Sequence, residues 1–384
     1  MAAPRTDAAT SPRPHQGARL ALDGVSKHFA RGTQGAVAAV RDVSLTVEPG
    51  ELVTLLGPSG CGKTTTLRIV AGFERPDQGR VRVDEQDITD LAVHRRGIGF
   101  VFQNYALFPH LTVLENVAYG LRVQRLPEAT IRDRTGRVLE LVGLPGYERR
   151  FPHQISGGEQ QRVAVARAVI VEPRLLLFDE PLSNLDATLR VQMRGELLRL
   201  QRELRITTIY VTHDQEEAMA LSDRIAVMRG GRIVQAGSAR ELYAAPRSAF
   251  VARFIGRTSL LPSRVLRAGA GAVEVQAWAD AVRVETAEAF AVGQRVLLVL
   301  RPEAVTLLPE SAMPPPGHAS TPGVVRASTF LGEKAEYLVE VAGGLVQAVD
   351  YDPLRRGLFD SGARVRVACA PSALFPLADD EAAD

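Results

Sequence analysis

The sequence predicts an α/β fold over residues 18–256 and a small all-β barrel over residues 257–384, and three observations carry this reading. Short β-branched runs alternate with longer helical patterns through the first region. The segment Gly57-Pro58-Ser59-Gly60-Cys61-Gly62-Lys63-Thr64 joins one such run to a helical pattern. After about residue 256 the helical patterns give way to short apolar runs, many of them divided by Gly or Pro.

Taken in order, residues 1–17 are rich in Pro, Ala, Ser and Thr without an apolar run, and are expected to form a disordered tail. Strands are expected at 53–56, 97–102, 175–179 and 207–212. Helices are expected at 63–71 (ended by Gly72), 130–142, 160–171, 185–204 and 215–221. Residues 225–228 and 232–235 read as a hairpin turning at Gly230-Gly231. In the C-terminal region short strands are expected around Val265, 273–275, 282–284, 296–300, 324–326, 337–341, 345–349 and 365–367, with a Pro-rich loop at 309–322.

A formal net charge of +2 without a clustered basic patch gives no nucleic-acid signature. The two cysteines, Cys61 and Cys369, cannot build a disulfide framework and suit a reducing cytosol. No apolar run approaches the roughly 20 residues needed to span a bilayer, so a membrane process would need other chains for its pore. Of 46 basic residues only Lys27, Lys63 and Lys334 are lysines. Lys63 stands where a compact ammonium on a thin stem is required and a planar guanidinium would not fit.

The segment Gly57 to Thr64 fits G-x-x-x-x-G-K-[ST] in its proper context, a strand before it and a helix after it. Its glycines allow successive N–H groups to point at phosphate oxygens, Lys63 would reach the β- and γ-phosphates, and Thr64 would hold Mg²⁺. The strand Leu175 to Asp179 ends in the carboxylates of Asp179 and Glu180. Charge at a buried strand tip calls for a metal or a polar site, with Asp179 on Mg²⁺ and Glu180 as general base; a helix cap is the plain alternative. Gln103 ends another strand, either as an ordinary polar terminus or as an amide touching a metal-bound water and a mobile loop. His213 follows the strand 207–212, either as an incidental residue of a cap or as an imidazole between a γ-phosphate and a backbone group. The run Ser156-Gly157-Gly158-Glu159 matches a capping box, S-x-x-E, and equally a helix start that a phosphate can approach closely.

The ordered set of the phosphate loop, Gln103, Ser156-Gly157-Gly158, Asp179-Glu180, Ser183-Asn184-Leu185-Asp186 and His213 resembles the ATP-binding subunit of ABC transporters over about residues 18–256. The resemblance implies a P-loop ABC ATPase domain with a helical subdomain, using ATP and Mg²⁺. It implies a head-to-tail homodimer that sandwiches two ATPs, each bound by one loop (including Thr65) and by Ser156, Gly157, Gly158 and Glu159 of the other copy. Phe29 matches the aromatic that stacks on adenine, Asp186 would lie at the dimer seam, and Gln103 would also touch the metal. Residues 104–110 would lie near two integral membrane permease subunits, which a periplasmic or surface substrate-binding protein would supply. The chain would then sit peripherally on the cytoplasmic face of the bacterial inner membrane, with no nucleic-acid partner.

The region 257–384 is similar to the transport-associated OB-like domain of many importers, on Phe254-Ile255-Gly256 and Arg301-Pro302-Glu303. Importers of polyamines, ferric iron, phosphonates, sulfate and some sugars share this arrangement, and the resemblance implies the energy-coupling ATPase of a bacterial importer whose cargo is a polyamine, ferric iron or a phosphonate. Two departures stand out: Ile155 and Glu159 replace the commonest Leu and Gln of the signature, and Arg31 to Gly35 form an insertion on the adenine side. Two rival readings are a soluble ABC ATPase acting on nucleic acid or ribosomes, which would show two cassettes, a coiled-coil insertion or zinc cysteines, and an exporter subunit. The C-terminal barrel is open to two roles, a ligand or protein sensor or a dimer-stabilising appendage.

Overall fold

The runs Leu52–Leu56, Leu175–Asp179 and Thr207–Thr212 are buried along their whole length, on both faces, as the inner strands of a covered parallel sheet must be. A computed structural model describes residues 17–30 and 36–379. The expected tail therefore falls outside the described residues except for Gly17, and the insertion 31–35 falls outside them entirely.

In the first unit, residues 1–239, the elements are β1 (Leu20–Ala30), β2 (Ala36–Val47), β3 (Leu52–Leu56), α1 (Lys63–Ala71), β4 (Gln78–Val83), β5 (Gln86–Asp87), β6 (Ile98–Val101), α2 (Val113–Val123), α3 (Glu128–Leu141), α4 (Gly157–Val169), β7 (Leu175–Asp179), α5 (Ala187–Leu204), β8 (Thr207–Thr212), α6 (Gln215–Leu221), β9 (Arg224–Arg229) and β10 (Arg232–Gly237). Six strands form one sheet in the order β10-β9-β3-β8-β7-β6, parallel except for the β9–β10 hairpin. Gly230 and Gly231 turn that hairpin with φ of 56° and 84°, the left-handed pair that a two-residue turn requires. A second, antiparallel sheet runs β2-β1-β4-β5. Leu20, Leu22 and Val25 of β1 share a core with Val53 and Leu55 of β3 and with Leu67 and Val70 of α1. On the opposite face, α2, α3, α4 and α5 close a separate core over Leu176, Phe178 and Tyr210.

Parallel strands end on the same side, and here the order β3-β8-β7-β6 places four loops in a row. Leu56 pairs with Thr212, Asp179 with Val211, and Val101 with Phe178. The phosphate loop, His213, Asp179-Glu180 and Gln103 therefore follow adjacent strand ends, the crevice where open α/β sheets bind ligands.

The second unit, residues 240–384, begins with α7 (Ala239–Ala244) and α8 (Ala249–Phe254). It continues as β11 (Ser259–Gly269), β12 (Ala272–Ala277), β13 (Asp280–Glu285), β14 (Arg295–Leu300), β15 (Thr306–Pro309), β16 (Ala319–Phe330), β17 (Ala335–Val341), β18 (Gly344–Asp350), α9 (Pro353–Arg356), β19 (Arg364–Cys369) and β20 (Leu374–Ala378). The expected barrel is built as two five-stranded antiparallel sheets, β13-β12-β11-β14-β20 and β15-β19-β16-β17-β18, whose inner faces share one core. Leu297 and Val299 of β14 turn away from that core and pack on Ala249 and Ala252 of α8, which explains the unbroken apolar run 296–300. Arg301, buried, donates Nη1 to Ala252 O and Arg257 O and Nη2 to Tyr243 O, satisfying carbonyls at the ends of α7 and α8. The Pro-rich segment is shorter than expected: β16 already starts at Ala319, where residues 319–322 pair with β19. Among the described residues no helix is long and apolar enough to cross a membrane.

Candidate functional site

Lys63 begins α1, with Gly62 before it at φ 107°. It is 4% exposed, and its Nζ donates to Gly57 O at 2.7 Å and Pro58 O at 3.1 Å. An ammonium has three donors, so two loop carbonyls hold the cation and leave capacity for a phosphate oxygen. The loop, Gly57 to Thr65, is confined from outside. Cys61 donates its N–H to Pro58 O and accepts at its own carbonyl from Gly231 N. Burial pushes the Cys61 thiol up from its ordinary value of 9.0. Ser59 and Gly60 are exposed, and Gly60 has φ 78°.

Thr64 Oγ1 donates to Asp179 Oδ1 at 3.1 Å. Asp179 is 8% exposed, and burial raises its carboxyl above the ordinary 3.8, with Thr64 acting the other way. A part-buried hydroxyl–carboxylate pair beside Lys63 is the hard oxygen set that suits Mg²⁺ with phosphate ligands, so the residues fit the expected metal. Glu180 takes a left-handed φ of 46°, a strained conformation for this residue type. It is held there by its N–H on Val211 O at 3.0 Å, and its carbonyl accepts from Ser183 Oγ at 2.9 Å. His213 Nδ1 lies 3.2 Å from Glu180 Oε2, so one ring nitrogen engages the carboxylate rather than a backbone group and Nε2 remains for another partner. Gln103 is exposed, and its carbonyl accepts from Asn184 Nδ2 at 2.9 Å.

Asp186 caps α5, accepting from Leu189 N at 2.9 Å, and is itself exposed. Phe29 stands near the end of β1, paired with Val37 and 38% exposed, with Lys27 Nζ 5.4 Å from its ring centroid. Ser156 forms a complete capping box with Glu159, and its side-chain and N–H bonds stay within its own helix start. α4 thus begins at Gly157, three residues before the expected start. The structure brings together the phosphate loop, Asp179, Glu180 and His213, and links Gln103 to the Ser183–Asp186 segment.

Three functional supports went unread in the sequence. Arg190 Nη1 meets Asp214 Oδ2 at 3.2 Å and Nη2 donates to Leu185 O at 3.2 Å, tying the segment of Asp186 to that of His213. Arg167 of α4 donates to Tyr105 O and Ala106 O, both at 2.7 Å, which fixes two left-handed residues beyond Gln103. Tyr147 OH donates to Glu159 Oε1 at 2.7 Å.

A phosphate loop, a part-buried hydroxyl–carboxylate pair and a second carboxylate engaged by histidine, all on adjacent parallel strand ends, define a phosphate-loop nucleoside triphosphatase. Comparison narrows the class. The ABC transporter family model matches residues 40–183 and the TOBE domain model residues 298–377. The Fe(3+) ions import ATP-binding protein FbpC 1 of Rhizobium meliloti is 48% identical over 82% of this chain and 87% of that protein. The spermidine/putrescine import ATP-binding protein PotA of Acidothermus cellulolyticus is 48% identical over 83% of each chain. A dimeric ATP-binding cassette solved with ADP and phosphate, MJ0796, is 33% identical with a TM-score of 0.52, covering 57% of this chain and 98% of that one. The chain belongs to the ATP-binding subunits of the ABC transporter family, carries a TOBE domain, and is an ATPase.

Proposed function

We propose that this chain is the energy-coupling ATPase of a bacterial importer for ferric iron or a polyamine. The observation that carries this is the near full-length similarity to iron(III) and polyamine import subunits; these are import proteins, which removes the exporter reading. In this reading Gly57 to Gly62 present backbone N–H groups to phosphate oxygens, Lys63 balances the β- and γ-phosphate charge, and Thr64 and Thr65 close the loop. Thr64, Asp179 and Gln103 would hold Mg²⁺, which when bound neutralises charge on the phosphates. Glu180 accepts the proton of the attacking water, and His213, on its carboxylate, keeps it oriented. Phe29 stacks on adenine.

A second copy completes the site: its Ser156, Gly157, Gly158 and Glu159 face the ATP held by Lys63 of the first, with Asp186 at the seam. The dimeric cassette of known structure supports this arrangement. Residues 104–110, pinned by Arg167 and by the buried Asn116 amide on Phe108 and Leu111, form the contact with two permease subunits. A substrate-binding protein supplies those subunits, and the chain acts at the cytoplasmic face of the inner membrane.

The test is complementation. A strain lacking this gene should lose uptake of labelled iron(III) or spermidine, and the natural chain should restore it. Lys63→Ala should restore none and should show under about 1% of the natural ATP turnover, since the loop's one cationic side chain is gone. Full turnover in Lys63→Ala would refute the site, and normal uptake of both substrates in the deletion strain would refute the assigned cargo.

A further inference from the structure

α2 and α4 begin with the same device. In each, the N-cap hydroxyl accepts from the N–H three residues on, and the glutamate there takes the N-cap N–H in return. Glu115 Oε2 accepts from Thr112 N at 2.8 Å and Thr112 Oγ1 at 2.9 Å. Glu159 Oε2 accepts from Ser156 N at 2.7 Å and Ser156 Oγ at 2.8 Å. The two boxes differ at the other carboxylate oxygen. Glu159 Oε1 accepts from Tyr147 OH at 2.7 Å, whereas all the side-chain hydrogen bonds of Glu115 come from Thr112.

Tyr147 is itself fixed. Its ring packs on the core of the helical region, the Arg150 guanidinium lies 3.9 Å over the ring centroid, and Arg150 N donates to Tyr147 O at 3.0 Å. The phenol hydrogen bond, followed by that of Ser156 N, holds the Glu159 carboxyl below its ordinary 4.5, and Arg162 acts in the same direction. The carboxylate is therefore ionised at neutral pH, beside a helix start that the proposed function requires to receive a phosphate. A carboxylate there whose second oxygen took no donor would repel the phosphate more strongly. The capping box alone turns the carboxylate back onto its helix, as at Glu115, and the phenol on the second oxygen disperses the charge that remains.

We propose that Tyr147 is a positioning residue for this helix start: its phenol fixes Glu159 and disperses its charge, so that the N–H groups of Gly157 and Gly158 can donate to the nucleotide phosphate of a second copy. The proposal rests on the dimer reading above. It deepens that reading by assigning a tyrosine outside the signature run to the consequence of having glutamate in it. A neutral amide at 159 would not need the phenol, so the effect of Tyr147 depends on the charge at 159.

The experiment is ATP-driven dimerisation followed by analytical ultracentrifugation, in chains that also carry Glu180→Gln to prevent turnover. Tyr147→Phe should raise the dimer dissociation constant about ten-fold, the loss of one hydrogen bond to a charged group. In a Glu159→Gln background the same Tyr147→Phe should change it less than about two-fold. Thermal unfolding of each variant without ATP establishes that the monomer is folded. Equal weakening in both backgrounds would mean that Tyr147 acts through packing alone, and no weakening in either would mean that it does not act; both overturn the proposal. A Glu180→Gln parent that stays monomeric with ATP would instead overturn the dimer reading, and this proposal with it.

Discussion

Gly57 and Gly62 show how closely the phosphate loop is walled in. A Cβ on Gly57 would lie 2.4 Å from Met228 O and 2.6 Å from Cys61 Sγ; one on Gly62 would lie 2.4 Å from Ala39 O, at a φ that L residues rarely adopt. Gly62→Ala should therefore cost about 1–3 kcal/mol of stability besides blocking nucleotide binding. Urea unfolding of the variant checks this, and an unchanged midpoint with intact binding would contradict the description of the loop. The identity of these residues was legible because spacing and chemistry coincide: only glycine fits, and Lys63 is one of three lysines among 46 basic residues. The wall was not legible, since Met228 and Ala39 come from β9 and β2, distant in sequence. Tyr147 was hidden for the same reason: a lone tyrosine in a turn carries no pattern until its partner is seen.

α5 joins two parts of the site through one side chain. Besides Asp214 and Leu185 O, Arg190 Nε lies 3.7 Å from Glu217 Oε1. Glu217 is 3% exposed, and its Oε2 accepts from Tyr210 OH and Thr212 Oγ1, both at 2.9 Å. Burial raises the Glu217 carboxyl above 4.5, opposed first by the hydrogen bonds of Thr212 and Tyr210 and then by the Arg190 guanidinium. Arg190→Met should lower stability by about 3 kcal/mol and, by loosening the His213 segment, reduce kcat for ATP about ten-fold while KM stays within about two-fold. Steady-state kinetics with a denaturation curve would check both; a change in KM alone would mean that Arg190 does not position His213. Helices and strands were legible where burial imposes a pattern, as in the unbroken apolar runs of β3, β7 and β8. α2 is not among the expected helices although Thr112 and Glu115 carry the T-x-x-E of a capping box. α7 and α8, six residues each, are too short to show a helical period. α4 starts early because Ser156 caps it, overriding the poor helix propensity of two glycines.

The chain divides into a nucleotide unit and a β unit, and the two differ in how much of them could be read. In the first, motif order and strand order agree: the register of β3, β8, β7 and β6 puts the predicted residues on neighbouring ends. In the second, alternating apolar runs gave the strands but not their grouping into two sheets, because strand pairing depends on contacts far apart in sequence. In the proposed importer the residues that recognise cargo would belong to other chains, so cargo would leave no mark on either unit. We propose that ATP closes the dimer and that hydrolysis at Glu180 opens it. Size-exclusion chromatography with light scattering on Glu180→Gln tests it most directly. With ATP and Mg²⁺ the variant should run as a dimer of about twice 41.5 kDa and return to monomer when nucleotide is removed, while hydrolysis falls at least about 100-fold. A variant that remains monomeric with ATP, or that turns over ATP at the natural rate, would contradict the account.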